Sequence, residues 1–223
     1  MKSRATQTKE LDMVNGPLAR KILIYSIPLM FSNLLQVFFN MTDVAVVGKF
    51  AGARALGSVG STTIIITLTT GILLGMGGGV NAVTALHMGA EDYQRVHKTV
   101  HTSVILCFIA GLLLLVAGLA FSKPLLEVMN TKPELIDGAT AYLMIYLCGS
   151  PALALYNFGN GVLSARGDTK RPMYYLAFAG ILNVLLNLIF VIVFHMAAVG
   201  VATASAIAQY VSGGLILIHL MRR

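Results

Sequence analysis

The 223-residue sequence is 57% hydrophobic and only 11% charged, with a mean hydropathy of +0.79. A soluble domain carries about 25% charged residues, so this chain cannot cover its surface with charge, and water is excluded as the solvent for most of it. The net charge of +7 does not mark a nucleic-acid partner, because the basic residues fall in short gaps between apolar runs and form no continuous patch.

Residues 1–17 are polar and basic. The apolar run that follows is too long for a secretory signal, and no small-residue cleavage site closes it. It reads as a retained first span behind a cytoplasmic segment. A helix needs about 20 apolar residues to cross a bilayer core. Six stretches qualify, at about 19–47, 56–86, 100–121, 138–163, 173–194 and 197–220. Runs of this length predict helices, since each backbone polar group must then be satisfied within its own segment. The expected fold is all-α: one bundle of six transmembrane helices over residues 18–223.

The first span carries Asn33, Gln36, Asn40 and Asp43 at steps of 3, 4 and 3. That spacing places all four on one helix face, and such a stripe must line the bundle interior or a water-filled cavity. Pro28, earlier in the same span, predicts a bend. Asp43 lies ~33 Å beyond Lys21 on a straight helix rising ~1.5 Å per residue, which also fits an aspartate at the outer surface. The apolar run continues through Val44–Val47, and that favours an inward position. Asp43 is the one carboxylate in the sequence that falls deep within an apolar run. Burial disfavours its charged form, which suits a group that takes up and releases a proton. With further oxygen ligands it could hold Na⁺, by the same preference of hard cations for oxygen that governs calcium.

The second span carries Thr63, Thr67 and Thr70, then the glycine-rich GMGGGVN (75–81), read as close helix packing. Cys107 and Cys148 lie inside apolar runs, outside any CxxC or metal-ligand cluster, and read as buried thiols. His87, His97 and His101 read as solvated loop histidines. The fourth span holds Tyr142, Tyr146, Gly149, Tyr156, Asn157 and Asn160, with Pro151 as its expected kink. In the fifth, ILNVLLNL (181–188) sets Asn183 and Asn187 one turn apart. Either they join helices through hydrogen bonds or they supply oxygens to Asp43. Ser205, Gln209 and Ser212 of the sixth span read as packing polarity.

Lys and Arg set the orientation. Twelve fall on the side of the N-terminal segment and four on the other, which predicts both termini in the cytoplasm. HExxH, GxSxG and P-loop motifs are absent, so no enzyme is expected, and no cofactor.

Several stretches resemble the N-terminal half of a multidrug and toxic compound extrusion (MATE) transporter. They are IPLMFSNLLQVFFNMTDVAVVGKFAGARALGSVG (27–60), GILLGMGGGVNAVTALHMGAED (71–92), GNGVLSARGDTKRPM (159–173) and NVLLN (183–187). The resemblance implies a plasma-membrane antiporter that exports organic cations and other amphipathic compounds in exchange for H⁺ or Na⁺. It matches Pro28 and Asp43 to the first-span proline and aspartate, and Tyr142 and Asn157 to fourth-span polar positions. Asn183 and Asn187 match the two fifth-span polar positions; the second is aspartate in some branches. On this reading Asn157, Asn183 and Asn187 surround Asp43, with Tyr142 and Gln36 as outer partners and Pro28 as the hinge. A family member has about twelve spans, so the expected partner, besides membrane lipid and substrate, is a second six-helix lobe: a C-terminal half or a second copy. Two alternatives are a flippase for lipid-linked oligosaccharide, which would line its cavity with Arg and Lys to hold pyrophosphate, and a non-transporting membrane subunit.

Overall fold

The structure is a computed structural model that describes residues 18–222; the cytoplasmic segment expected at 1–17 lies outside the described residues. Every described element is a helix, because only a helix closes its backbone hydrogen bonds within one spanning segment. α1 (Leu18–Phe50), α2 (Gly52–Gly89) and α3 (Tyr93–Val128) are long rods. α4 (Pro133–Cys148) and α5 (Ser150–Ala165) meet at a bend of 44°. α6 (Lys170–Leu188) continues into a π-turn (Ile189–Val193), and α7 (Ala197–Met221) follows. Five helices are long and apolar enough to cross a membrane, and the bent α4–α5 pair makes a sixth span.

The turns follow from local chemistry. Asp92 caps α3: its carboxylate accepts from the Arg95 N–H at 3.0 Å and pairs with the Arg95 side chain at 3.1 Å. Pro133 opens α4, where its missing N–H would have had no helical partner. Gly167 turns the chain from α5 to α6 at φ +81°, a conformation that a Cβ would strain.

Two details depart from the sequence pattern. α3 runs on through Pro124 to Val128, beyond the apolar run that ends near 121. The fourth span breaks at Gly149 rather than at Pro151, which sits in the first turn of α5, where proline fits a helix without losing a bond. The break frees the Cys148 carbonyl, and the Tyr210 hydroxyl of α7 donates to it at 2.9 Å.

α5 is the axis of the bundle, mostly buried and packed on α2, α3 and α7. Gly77 of α2 makes this approach possible, since a Cβ there would stand 2.7 Å from the Asn157 carbonyl oxygen. Gly75, Gly78 and Gly79 have open space where a Cβ would be, so close packing explains one glycine of the run. α1 lies on the flank against α6 and α2, with Phe31, Leu34 and Phe38 exposed. Apolar side chains this exposed suit a hydrocarbon surround.

Candidate functional site

The polar stripe of α1 is split by depth. Asp43 is 5% exposed, Gln36 is half-buried, and Asn33 and Asn40 are exposed. Gln36, Asn40 and Asp43 line a cavity of about 100 Å³ with Tyr146, Asn183 and Ser205. Sites for drug-sized ligands measure about 300–1,000 Å³. The cavity at Asp43 is scaled to an ion and a few waters.

Three helices meet at the Asp43 carboxylate. Asn187 of α6 donates its amide N–H to Oδ1 at 2.5 Å, and the Ser205 hydroxyl of α7 donates to Oδ2 at 2.9 Å. The i, i+4 spacing of Asn183 and Asn187 puts both on the face of α6 that meets α1 and α7, and the Asn187 amide also donates to Asn183 Oδ1 at 3.2 Å. No Lys, Arg or His pairs with Asp43 among the described residues.

The Asn183 amide fits the site in two orientations. In one, its nitrogen donates to Ser205 Oγ at 3.1 Å and its oxygen stands 2.9 Å from Asp43 Oδ1. In the other, its nitrogen donates to Asp43 Oδ1 at 2.9 Å, its oxygen faces the Ser205 hydroxyl and N–H, and the Asn187–Asn183 bond is given up because two amide nitrogens then meet at 3.2 Å. Two bare acceptors repel at 2.9 Å, so the first arrangement fits a carboxyl that carries a proton and donates it. The second gives an ionised carboxylate three donors, which is how a buried charge is satisfied. The Asn187 side-chain oxygen is fully buried and has no protein partner.

Other expected site residues divide. Tyr142 is buried and stacks on Tyr146, which lines the Asp43 cavity, with ring centroids 6.2 Å apart. Asn157 is not brought to Asp43. Its amide donates to the Leu153 carbonyl at 2.9 Å, inside its own helix and against Gly77 of α2. Pro28 is buried within a helix that continues on both sides of it, and Ser32 donates to its carbonyl at 2.9 Å. Ser205 corrects the reading of the last span as packing polarity: it touches the carboxylate directly, and Gln209 and Ser212 line the same cavity. The 4-and-3 spacing of these three was a visible signal, but hydroxyls are too common between membrane helices for spacing to single one out.

A family model for MatE matches residues 28–189. The chain belongs to the MatE family. It is 30% identical over 201 residues to the probable multidrug resistance protein YpnP of Bacillus subtilis (strain 168), covering 90% of this chain and 45% of that protein. It is 26% identical over 208 residues to the probable multidrug resistance protein YoeA of the same organism, covering 92% and 45%. Among solved structures, an outward-facing multidrug resistance MATE transporter of the MOP superfamily superposes with a TM-score of 0.89 at 27% identity, covering 96% of this chain and 47% of that one. The chain spans about half the length of the curated relatives it matches. The MatE chain is therefore a multi-pass, all-helical membrane protein that corresponds to about one half of a MATE transporter.

Proposed function

We propose that this chain forms the ion-responsive lobe of an efflux antiporter that exports organic cations in exchange for H⁺ or Na⁺. One observation carries the reading: among the described residues a single carboxylate lies buried in a membrane span, held by amide and hydroxyl donors and by no cation. A structural ion pair would have had a basic partner. A group that must gain and lose a positive charge needs ligands that tolerate both states, and side-chain amides do, because they turn over.

The cycle follows from the hydrogen bonds. Ionised Asp43 draws N–H groups from Asn183 and Asn187. Arrival of a proton on Oδ1 reverses the preference at Asn183, whose oxygen then accepts. Na⁺ would instead collect Asp43 oxygens with the unpartnered oxygen of Asn187, a donor set of the kind hard cations take. A proton weakens the hold of α1 on α6 and α7 by taking the charge out of those hydrogen bonds, whereas Na⁺ replaces the Asn187 N–H bond with a shared ion. Both change the contact between α1 and α6, and Pro28 marks where α1 can bend in response. Loss of the negative charge also lowers affinity for a cationic substrate. Substrate would sit in the larger space between this lobe and a second one, since this cavity is too small for it. No Lys or Arg falls within the apolar runs 56–86, 100–121, 138–163, 173–194 and 197–220, which favours cation export over the flipping of a pyrophosphate-linked lipid. The Lys and Arg bias supports placing both termini in the cytoplasm; export from the cell requires that the membrane be the plasma membrane.

The test is Asp43→Asn in the transporter assembled with its second lobe. Ion-coupled efflux should be lost at unchanged expression. Normal coupled efflux from that variant would remove the proposal.

A further inference from the structure

α6 has a second face. Its buried side carries Ala179, Gly180, Asn183 and Asn187. On the opposite side Lys170, Tyr174, Phe178, Ile181 and Leu185 recur at steps of 4, 4, 3 and 4, and all five are exposed. They form one stripe, and its order has a chemical direction: a cation, then a phenol, then three apolar side chains. From Tyr174 to Leu185 the stripe covers ~16 Å at ~1.5 Å per residue, about half of a ~30 Å hydrocarbon core. It has the length of one leaflet.

The cationic end of the stripe sits on a basic platform built from three helices. Arg166 caps the C-terminus of α5, Lys170 and Arg171 lie in the first turn of α6, and Arg222 caps α7. The ends are tied together: Arg171 Nη1 lies 3.0 Å from His219 Nε2, and the Tyr156 hydroxyl of α5 donates to the Pro172 carbonyl at 3.2 Å. The turn between α5 and α6 is fixed by Asp168 N–H on the Leu163 carbonyl at 2.9 Å, over the buried Leu163 and Thr169. Asp168 is the one acid in this segment, and it is taken by Arg171 at 3.2 Å. Four cations thus share one carboxylate on a rigid support.

We propose that this surface holds an anionic phospholipid, with the phosphodiester at Lys170 and Arg166, the Tyr174 hydroxyl at the level of the headgroup and ester oxygens, and one acyl chain along Phe178, Ile181 and Leu185. Basic sites between helix ends recognise phosphate headgroups, and tyrosine prefers the interface, where its ring is in lipid and its hydroxyl in water. The apolar stripe is what selects a lipid over a free anion. The surface is independent of the Asp43 site, on the other face of the same helix.

The whole chain, in nanodiscs of phosphatidylglycerol and phosphatidylcholine with identical acyl chains, is released and examined by native mass spectrometry. Preferential retention of phosphatidylglycerol is expected, falling about fivefold for each cation removed in Lys170→Gln and Arg166→Gln. The control Arg95→Gln with Lys98→Gln removes two cations from the start of α3, outside the proposed site, and should leave retention unchanged. Equal retention of the two lipids, or an equal loss in the control, would overturn the proposal. So would displacement of the lipid by millimolar inorganic phosphate, which would place a free anion there. Tyr174→Leu should keep the chain folded, judged by an unchanged melting temperature, and still reduce retention; unchanged retention would also count against the site.

Discussion

Replacing Asn187 with leucine keeps the branch at Cγ and removes its donated bond of 2.5 Å to Asp43 Oδ1; the further bond of 3.2 Å to Asn183 Oδ1 is lost as well only where Asn183 turns its oxygen that way. In soluble proteins a hydrogen bond to a charged group contributes about 1.5–3 kcal/mol and a neutral one about 0.5–1.5 kcal/mol. Between membrane helices, neutral polar pairs average only about 0.6 kcal/mol, because the separated helices find other partners. The Asn187–Asp43 pair should therefore exceed the membrane average only while Asp43 is ionised. A double-mutant cycle of Asp43→Asn and Asn187→Leu isolates that pair. The coupling should be about 1.5–3 kcal/mol at alkaline pH, where the carboxylate accepts with full charge. It should drop toward about 0.6 kcal/mol as pH falls far enough for Asp43 to carry a proton. Equilibrium unfolding of the four proteins in mixed micelles, at about pH 9 and about pH 5, measures both values. A coupling that is small and equal at the two pH values would refute the reasoning, for it would mean that Asp43 is not charged while it accepts from Asn187.

Three more outcomes are expected. Gly77→Val should lower thermal stability by about 1–3 kcal/mol through overpacking against α5, whereas Gly78→Ala, in open space, should raise it by up to about 1 kcal/mol; similar melting shifts for both would contradict the α2–α5 contact. Asn157→Leu, which loses a bond within its own helix, should cost about 0.5–1.5 kcal/mol and leave the Asp43–Asn187 coupling intact, as the same cycle in that background would show. Pro28→Ala restores a helical N–H and should raise the stability of the chain by up to about 3 kcal/mol while slowing efflux in the assembled transporter; efflux at the normal rate would remove the hinge.

The site was legible where it broke a strong pattern. An aspartate inside an apolar run is conspicuous because a buried charge is costly, and two asparagines one turn apart must share a face whatever the fold. Ser205 was not legible. A serine can satisfy itself on its own helix backbone, so its presence among alanines carries little information until its neighbour is known. Asn157 misled for the same reason in reverse: its amide found a carbonyl one turn away and had no need of Asp43. The break at Gly149 was also missed in favour of Pro151, since a proline marks an interruption in sequence but sits without strain just after one.

The sequence by itself determined that the chain crosses a membrane as helices, that its basic residues gather at one side, and that one carboxylate lies within a span. These are consequences of composition and spacing, which hold for a helix in isolation. Only the tertiary structure decided which atoms meet Asp43. Its donors come from Asn187 and Ser205, 144 and 162 residues away along the chain. That meeting depends on how α1, α6 and α7 pack, and packing between membrane helices is governed by small shape differences rather than by hydrophobicity, which every span shares.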